Sequence, residues 1–148
     1  MSEVTVGQAA KTAGVPVEVL RELCDSRKVR ARKGERGHWY LDPADIPTCD
    51  WVLEAVRAQY REDVGGAQEA MASFAREVEA VQLDLNEAAD DPTGVGRLGN
   101  DLRAVGSMDG PFDRALRALT FSLMGVELTH RRLHALAQLP PAEGADRA

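Results

Sequence analysis

The chain has 148 residues, with 44% hydrophobic residues, 28% charged residues and a formal net charge of -6. This size suits one domain, or a small domain with an appended helical part, and the composition is ordinary for a water-soluble globular protein. No apolar run approaches the ~18 residues that span a bilayer, and the first residues lack the basic and apolar regions of a secretory signal. We therefore expect a cytoplasmic protein. Cys24 and Cys49 lack the spacing of a zinc site or a disulfide framework, so both are expected to be reduced.

The charge is unevenly distributed along the chain. Residues 1–40 carry eight cations and five acids, whereas residues 41–148 carry ten cations and nineteen acids. Six of the eighteen lysines and arginines lie within residues 27–36, beside a single acid. This division predicts a small segment that binds nucleic acid, followed by an acidic segment that phosphate would repel.

Two short helices joined by a tight turn are predicted at the N-terminus. Thr5 and Gln8 have capping-box spacing, so the first helix begins near Val6, and Gly14 ends it. Pro16 suits the first position of the second helix. The pattern is that of a helix-turn-helix, in which small residues on the first helix allow close packing. The residues expected to face inward are Ala9, Ala10, Ala13, Val19, Leu20 and Leu23.

After Arg27 the pattern changes to the alternation that is typical of strands. Val29 and Ala31 fall on one face and Arg30 and Arg32 on the other, and the sequence KGERG predicts a turn. The returning strand HWYL and the short helix PADI complete a two-stranded wing and its closing segment. In these two segments we expect Trp39, Leu41 and Ile46 to face inward and His38 and Tyr40 to face outward, with Asp42 as the helix cap.

The sequence TVGQAAKTAGVPVEVLRELCDSRKVRARKGERGHWYLDPADI resembles the winged helix-turn-helix of the MerR and phage excisionase superfamily, over roughly the first third of the chain. The similarity lies in an alanine-rich first helix, Gly-Val at the turn, Leu-Arg in the second helix, a basic wing and an Asp-x-x-Asp-Ile closing helix. Pro16 in place of the usual Ser or Thr, Arg27 in place of Gly, and Glu22-Leu23 in place of an aromatic pair favour the excisionase-like branch.

The resemblance implies binding to double-stranded DNA, with Arg21 at the backbone or a base edge and the cations of the wing at phosphates. Glu18, Glu22 and Asp25 weigh against close docking of the second helix, because phosphate repels carboxylates. Trp39 could stack on a base, but a domain this small needs it as its main core aromatic. The predicted DNA-binding residues are Arg21, Arg27, Lys28, Arg30, Arg32, Lys33, Arg36 and His38.

Beyond Thr48 the pattern is helical. Apolar residues recur at alternating spacings of four and three from Tyr60 to Leu85, a heptad stripe that passes through Gly65-Gly66. One long helix or two shorter helices fit this segment, and the stripe is either the core of a helical bundle or an intermolecular coiled coil. We favour the coiled coil of a dimer. The predicted oligomerisation residues are Tyr60, Val64, Met71, Phe74, Val78, Val81 and Leu85, and Ala67 belongs to the same stripe.

A mainly α fold with five segments is therefore predicted. Residues 1–47 form the winged helix-turn-helix, with a linker at Pro47-Thr48, and residues 48–90 form the oligomerising helix or helix pair. A loop is expected over 91–110, a C-terminal helix over 111–139 with Phe112, Leu116, Leu119, Leu123 and Val126 on one face, and a disordered tail over 140–148.

No catalytic constellation is evident in the sequence. The sequence ELTHRRLH places Glu127, His130 and His134 on one helical face, but Glu-x-x-His is common in helices and no second set of ligands accompanies it. We therefore expect neither a metal nor a cofactor. No nucleophile with its base, phosphate-binding glycine loop or convergent carboxylate pair is present, so we expect no enzyme activity.

Three functions remain as hypotheses. The first is a sequence-selective DNA-binding protein, a dimeric transcriptional regulator in which two heads contact two half-sites. The second is a phage-type accessory to DNA packaging or recombination, such as a small terminase subunit or an excisionase-like factor, for which a large ring would be the mark of packaging. The third is a protein-interaction adaptor that does not bind DNA.

Overall fold

A computed structural model describes residues 3–90, 106 and 109–139. Most of these residues are helical, with a small antiparallel sheet near the N-terminus, so the predicted mainly α class is confirmed. Within the described ranges, no helix is both long enough and apolar enough to cross a membrane. In chain order the elements are β1 (Val4–Thr5), α1 (Val6–Ala13), α2 (Val17–Asp25), β2 (Arg32–Lys33), β3 (Trp39–Leu41), a short 3-10 helix (Pro43–Asp45), α3 (Cys49–Asp90) and α4 (Pro111–Ala137).

The sheet has three strands, in the order β1-β3-β2, rather than the predicted two. The central strand β3 pairs with β2 through Arg32 opposite Tyr40, and with β1 through Val4 opposite Leu41. The strand β1 was not predicted from the sequence because it is only two residues long and runs directly into the capping box of α1.

The two predicted helices form, and local sequence explains both ends of α1. The Thr5 side chain accepts a hydrogen bond from the Gln8 backbone N–H, and the Gln8 side chain accepts one from the Thr5 N–H at 3.0 Å. Gly14 ends the helix in the left-handed conformation, at φ 69°, which glycine adopts without strain. The helix α2 begins one residue later than predicted, since Pro16 is its N-cap and Val17 its first residue.

The chain divides into two units, and their boundary differs from the predicted one at residue 47. The first unit comprises Met1–Gln59 with Thr129–Ala148, and the second comprises Tyr60–Leu128. Residues from both long helices complete the core of the first unit, because Val52, Val56 and Leu136 are buried in the same cluster as α1 and α2. The segment 1–47 is therefore not a separate module, and Pro47-Thr48 is not a linker between independent parts.

The core of the first unit is built on the residues that face inward in the sequence pattern. Ala9, Ala10, Val19, Leu20 and Leu23 are all buried, as predicted. Beside them the core contains Val6, Val15, Cys24, Val29 and Leu41, with Trp39 and Ile46 partly buried against it. Both cysteines are free thiols, and burial raises the pKa of Cys24 to about 11.

The helix α3 is a single continuous element, so the alternative of two shorter helices is wrong. It passes through Gly65-Gly66 without a break, although each glycine costs about 1 kcal/mol relative to alanine in a helix interior. The C-terminal helix begins at Pro111, as predicted, and ends at Ala137 rather than at residue 139. The predicted loop over 91–110, except for residues 106, 109 and 110, and the predicted tail over 140–148 lie outside the described residues.

The second unit contains an antiparallel pair formed by parts of α3 and α4. The rings of Phe74 and Phe112 lie 5.1 Å apart between their centroids, with a tilt of 54°. Nearer the start of α3, a Cβ at Gly125 would lie 3.8 Å from Cγ of Asp63, so the two backbones are close there. From the first contact to the second, the residue number decreases along α3 and increases along α4, so the two helices run in opposite directions.

Candidate nucleic-acid interface

The outward face of α2 carries the first of the predicted DNA-binding side chains. Arg21 is exposed, as are Glu18 and Asp25, while the opposite face of the helix is buried in the core. The periodicity of the helix accounts for this division, since residues three and four apart share a face. Arg21 therefore projects from the exposed face of α2.

Two of the three acids of α2 are bound by neighbouring side chains. Glu22 accepts from Arg132 of α4, with Nη2 and Oε2 2.9 Å apart, and the Arg132 side chain is only 17% exposed. Asp25 accepts from Trp39 Nε1 at 3.0 Å and has Lys33 Nζ at 4.0 Å from the same oxygen. The repulsion of phosphate expected from these carboxylates is thereby reduced, because each has a cation or a donor beside it.

Arg27 joins α2 to the wing in a strained conformation. Its φ of 58° lies in the left-handed region, which costs a residue with a Cβ about 1 to 2 kcal/mol. The conformation closes the helix, since the N–H groups of Lys28 and Val29 both donate to the carbonyl oxygen of Leu23, at 2.9 and 3.1 Å. Residue 27, which is glycine in the MerR-like pattern, thus has a backbone conformation typical of glycine but carries a guanidinium group.

Arg32 lies on the outer face of the wing, opposite Tyr40 on the neighbouring strand. Its guanidinium binds the Glu3 carboxylate through two hydrogen bonds, of 2.5 and 3.1 Å, and lies 5.5 Å from the centre of the Tyr40 ring. Hydrogen bonding to Arg32 lowers the pKa of Glu3 below its usual value, so the pair is fully charged at neutral pH. The Arg32 guanidinium is therefore paired with a carboxylate of the same chain, although its side chain is 62% exposed.

Lys33 lies on the other face of the wing, with Trp39. Its Nζ is 5.3 Å from the centre of the Trp39 ring and 4.0 Å from Asp25. Trp39 is partly buried against the core, as expected, but its indole N–H reaches the surface and binds Asp25. Trp39 thus joins the wing to the end of α2, in addition to filling the core.

The remaining predicted residues of the wing are also exposed. Arg30 has 90% of its side chain exposed, and its Nε lies 4.0 Å from Oδ2 of Asp45. Lys28 donates to Oε1 of Gln59 at 2.5 Å. Arg36 and His38 lie exposed in and beside the turn of the wing.

The predicted DNA-binding residues therefore differ in which side chains they contact. Arg32 and Lys33 contact acids of the first unit, and Lys28 contacts an amide. Within the described residues, no carboxylate oxygen lies within 4.0 Å of the charged nitrogens of Arg21, Arg27 or Arg36, and Arg30 has only its long contact.

Two features of this surface were not predicted from the sequence. Arg132 lies more than a hundred residues from Glu22 in the chain, and nothing in the sequence indicates their pairing. Trp51, 44% exposed, lines a groove of about 310 Å³ together with Lys28 and Arg30. The groove also has Val29, Asp45, Pro47 and Thr48 in its wall.

The residues of the predicted oligomerisation stripe differ in how far they are buried. Ala67 is buried, and Phe74 contacts Phe112 within the chain, so part of the stripe is the core of the α3–α4 pair. Met71, Val78 and Leu85 are exposed. Tyr60, Val64 and Val81 are partly buried.

The three residues of the sequence ELTHRRLH with possible metal-ligating side chains lie on α4. In the described part of the chain, no group of three or more His, Cys, Asp or Glu side chains comes together as a metal site would require. Glu127, His130 and His134 share a face of α4, and His134 lies 3.2 Å from the side-chain nitrogen of Gln138.

Comparison of the chain with protein-family models, with curated proteins and with solved structures finds no match. The resemblance of residues 5–46 to the MerR and excisionase superfamily therefore stays a prediction.

Proposed function

We propose that this chain is a sequence-selective double-stranded DNA-binding protein that acts as a transcriptional regulator. The observation that carries the proposal is the distribution of ion pairs in the first unit. The carboxylates of Glu22 and Asp25 on α2 have partners within the chain. Among the described residues, Arg21, Arg27 and Arg36 have no carboxylate beside them. Cations held at a protein surface without an acid partner are suited to phosphate.

The two groups of cations have different roles in this proposal. Arg27, Arg30 and Arg36 neutralise phosphates and fix the position of the protein on the duplex, which gives affinity without sequence preference. Arg21 lies on α2, whose outward face enters the major groove and contacts a base edge. The pairs that Arg32 and Lys33 make hold the wing in place for these contacts.

Salt titrations of variants test the proposal. Replacing Arg30 and Arg36 with Ala should weaken binding to specific and random DNA alike, and should lower the slope of log affinity against log salt by about 1 for each phosphate that is no longer neutralised. Arg21→Ala should instead cost about 1 to 3 kcal/mol on the preferred site and much less on random DNA. The matched control replaces Arg61 and Arg76, two exposed arginines of α3, and changes the net charge equally.

The preferred site would first be obtained by recovering genomic DNA fragments with the wild-type protein and sequencing them. Equal slopes for the wing variant, the control variant and the wild type would contradict the proposal. So would a folded wild-type protein that binds no DNA at low salt, which would favour the adaptor hypothesis.

A further inference from the structure

An exposed tryptophan lies beside the wing, in the first turn of α3. Trp51 is 44% exposed and lines a groove of about 310 Å³. The core of the first unit does not explain this position, because Val52 and Val56 are the residues in this part of α3 that are buried in that core. A large indole at the surface is typical of a binding interface. We call the groove the tryptophan groove, and it is lined by Lys28, Val29, Arg30, Asp45, Pro47, Thr48 and Trp51.

The two tryptophans of the chain have different surroundings. Trp39 is partly buried against the core, and its indole N–H donates to Asp25. Among the described residues, none accepts a hydrogen bond from the indole N–H of Trp51. The backbone N–H of Trp51 donates to Oγ1 of Thr48 at 3.2 Å, which fixes the first turn of α3 beside the groove. Trp51 therefore offers a ligand both an apolar ring and a hydrogen-bond donor.

The tryptophan groove carries more positive than negative charge. Lys28 and Arg30 lie in its wall, and Asp45 supplies one carboxylate among the described residues that line it. Nζ of Lys28 lies 2.5 Å from Oε1 of Gln59, which is uncharged, so this contact does not neutralise the lysine. The Arg30 side chain is 90% exposed and its Nε lies 4.0 Å from Asp45, and exposed ion pairs of this kind are weak. The charge of the groove therefore favours an anionic ligand.

The exposure of the two cations favours a polyanion over a small anion. A site for a small molecule buries most of its ligand, whereas Lys28 and Arg30 are both exposed at the surface. The groove also adjoins the other cations that are proposed to bind phosphate, since Lys28 directly follows Arg27 and Arg30 lies two residues before β2. A DNA strand that binds those cations would cover the groove as well.

We propose that the tryptophan groove holds a sugar-phosphate segment of one strand of duplex DNA, with the Trp51 ring against a deoxyribose and with Lys28 and Arg30 at the neighbouring phosphates. A sugar-phosphate backbone alternates apolar sugar faces with anionic phosphates, which suits a groove that combines an indole ring with two cations. The Trp51 indole N–H and the Thr48 hydroxyl can both donate to phosphate oxygens. The inference rests on the proposed function, to which it adds Trp51 as a residue that positions the protein on the duplex.

Fluorescence quenching tests the contact on the wild-type chain. Acrylamide is a neutral quencher, so it leaves the ionic strength unchanged and does not displace DNA through salt. A saturating random-sequence duplex at low salt should remove most of the quenching of Trp51, because the DNA covers the ring. In the Trp51→Phe variant Trp39 is the single tryptophan, and its quenching should be the same with and without the duplex.

Affinity measurements on the same random duplex separate the ring from the charges. Trp51→Ala should weaken binding by about fivefold or more and leave the slope of log affinity against log salt unchanged, because no charge is lost. Lys28→Ala should weaken binding and lower that slope by about 1. Asp45→Asn should strengthen binding several-fold, because the carboxylate no longer repels phosphate. The control is Phe121→Ala, an exposed aromatic residue of α4, which should leave the affinity unchanged.

The outcomes separate this proposal from the proposed function. A duplex that binds the wild type and leaves the quenching of Trp51 unchanged would overturn the proposal while DNA binding stands. The same holds for a Trp51→Ala variant that is folded by circular dichroism and binds as tightly as Phe121→Ala. Equal shielding of Trp51 by polyglutamate at the same concentration of charge would assign the groove to an acidic protein instead. A wild type that binds no duplex at low salt would overturn the proposed function and this proposal together.

Discussion

At the scale of single residues, Arg27 has a conformation that its side chain does not favour. Its backbone has the left-handed φ that glycine adopts freely, and the turn that it forms ends α2 through hydrogen bonds to Leu23. Strained residues that persist in a fold often lie at functional positions. Under the proposed function, the Arg27 guanidinium group binds phosphate, and the strained backbone of this residue lowers the stability of the fold.

We expect Arg27→Gly to raise the free energy of unfolding by about 0.5 to 1 kcal/mol, because glycine relieves the left-handed strain but loses more entropy on folding. The same variant should weaken DNA binding and lower the salt slope by about 1. Denaturant unfolding followed by tryptophan fluorescence and a salt titration measure the two effects.

Arg27→Ala is the control, since it removes the charge and keeps a Cβ in the strained conformation. It should bind DNA as weakly as Arg27→Gly without the gain in stability. Unchanged DNA binding in both variants would exclude Arg27 from the interface.

At the scale of elements, the last turns of α4 pack against the core that contains α1 and α2. Arg132 is mostly buried and bound to Glu22, and Leu133 and Leu136 pack against the core to which α2 belongs. The element thus neutralises a carboxylate on the helix that is proposed to enter the major groove.

Arg132→Ala should lower DNA affinity by several-fold even though Arg132 itself is not expected to touch DNA, because the Glu22 carboxylate is then free to repel phosphate. Since the Arg132 side chain is only 17% exposed, the loss of its packing adds to the loss of the ion pair, and the free energy of unfolding should fall by about 0.5 to 3 kcal/mol. Adding Glu22→Gln to this variant should restore DNA affinity. A double variant that binds as weakly as Arg132→Ala would mean that Arg132 acts through packing or contacts DNA itself.

At the scale of the whole molecule, residues from distant parts of the chain pack into one hydrophobic core. Val52 of α3 is fully buried and Leu136 of α4 is 7% exposed, both in the cluster with Leu20 and Leu41. The first unit therefore needs both long helices, and a fragment that ends at residue 47 would expose the apolar surface that they cover.

Leu136→Ala should destabilise the first unit by about 2 to 5 kcal/mol, since it leaves a cavity in a packed core. Denaturant unfolding followed by the fluorescence of Trp39 and Trp51, which both lie in this unit, measures the loss. Leu128→Ala is the control, because Leu128 is 48% exposed, and its effect should stay within about 0.5 kcal/mol. Similar stabilities for the two variants would mean that the end of α4 does not contribute to this core.

Local order in this protein follows from the sequence by itself. The capping box of Thr5 and Gln8, the left-handed Gly14 and the alternation that separates Leu41 from Tyr40 depend on residues that are neighbours in the chain. The inward positions of α1 and α2 follow from helical periodicity, and the start of α4 follows from Pro111.

Only the tertiary structure decided where each apolar stripe is buried. The apolar residues of α3 would recur at the same spacing whether they packed on α4 or on another chain. Their spacing therefore could not show that Phe74 contacts Phe112 while Met71 is exposed. The pairing of Arg132 with Glu22 and the burial of Leu136 join residues that lie far apart in the chain. Such contacts depend on the path of the backbone, and the side chains that make them leave no local pattern.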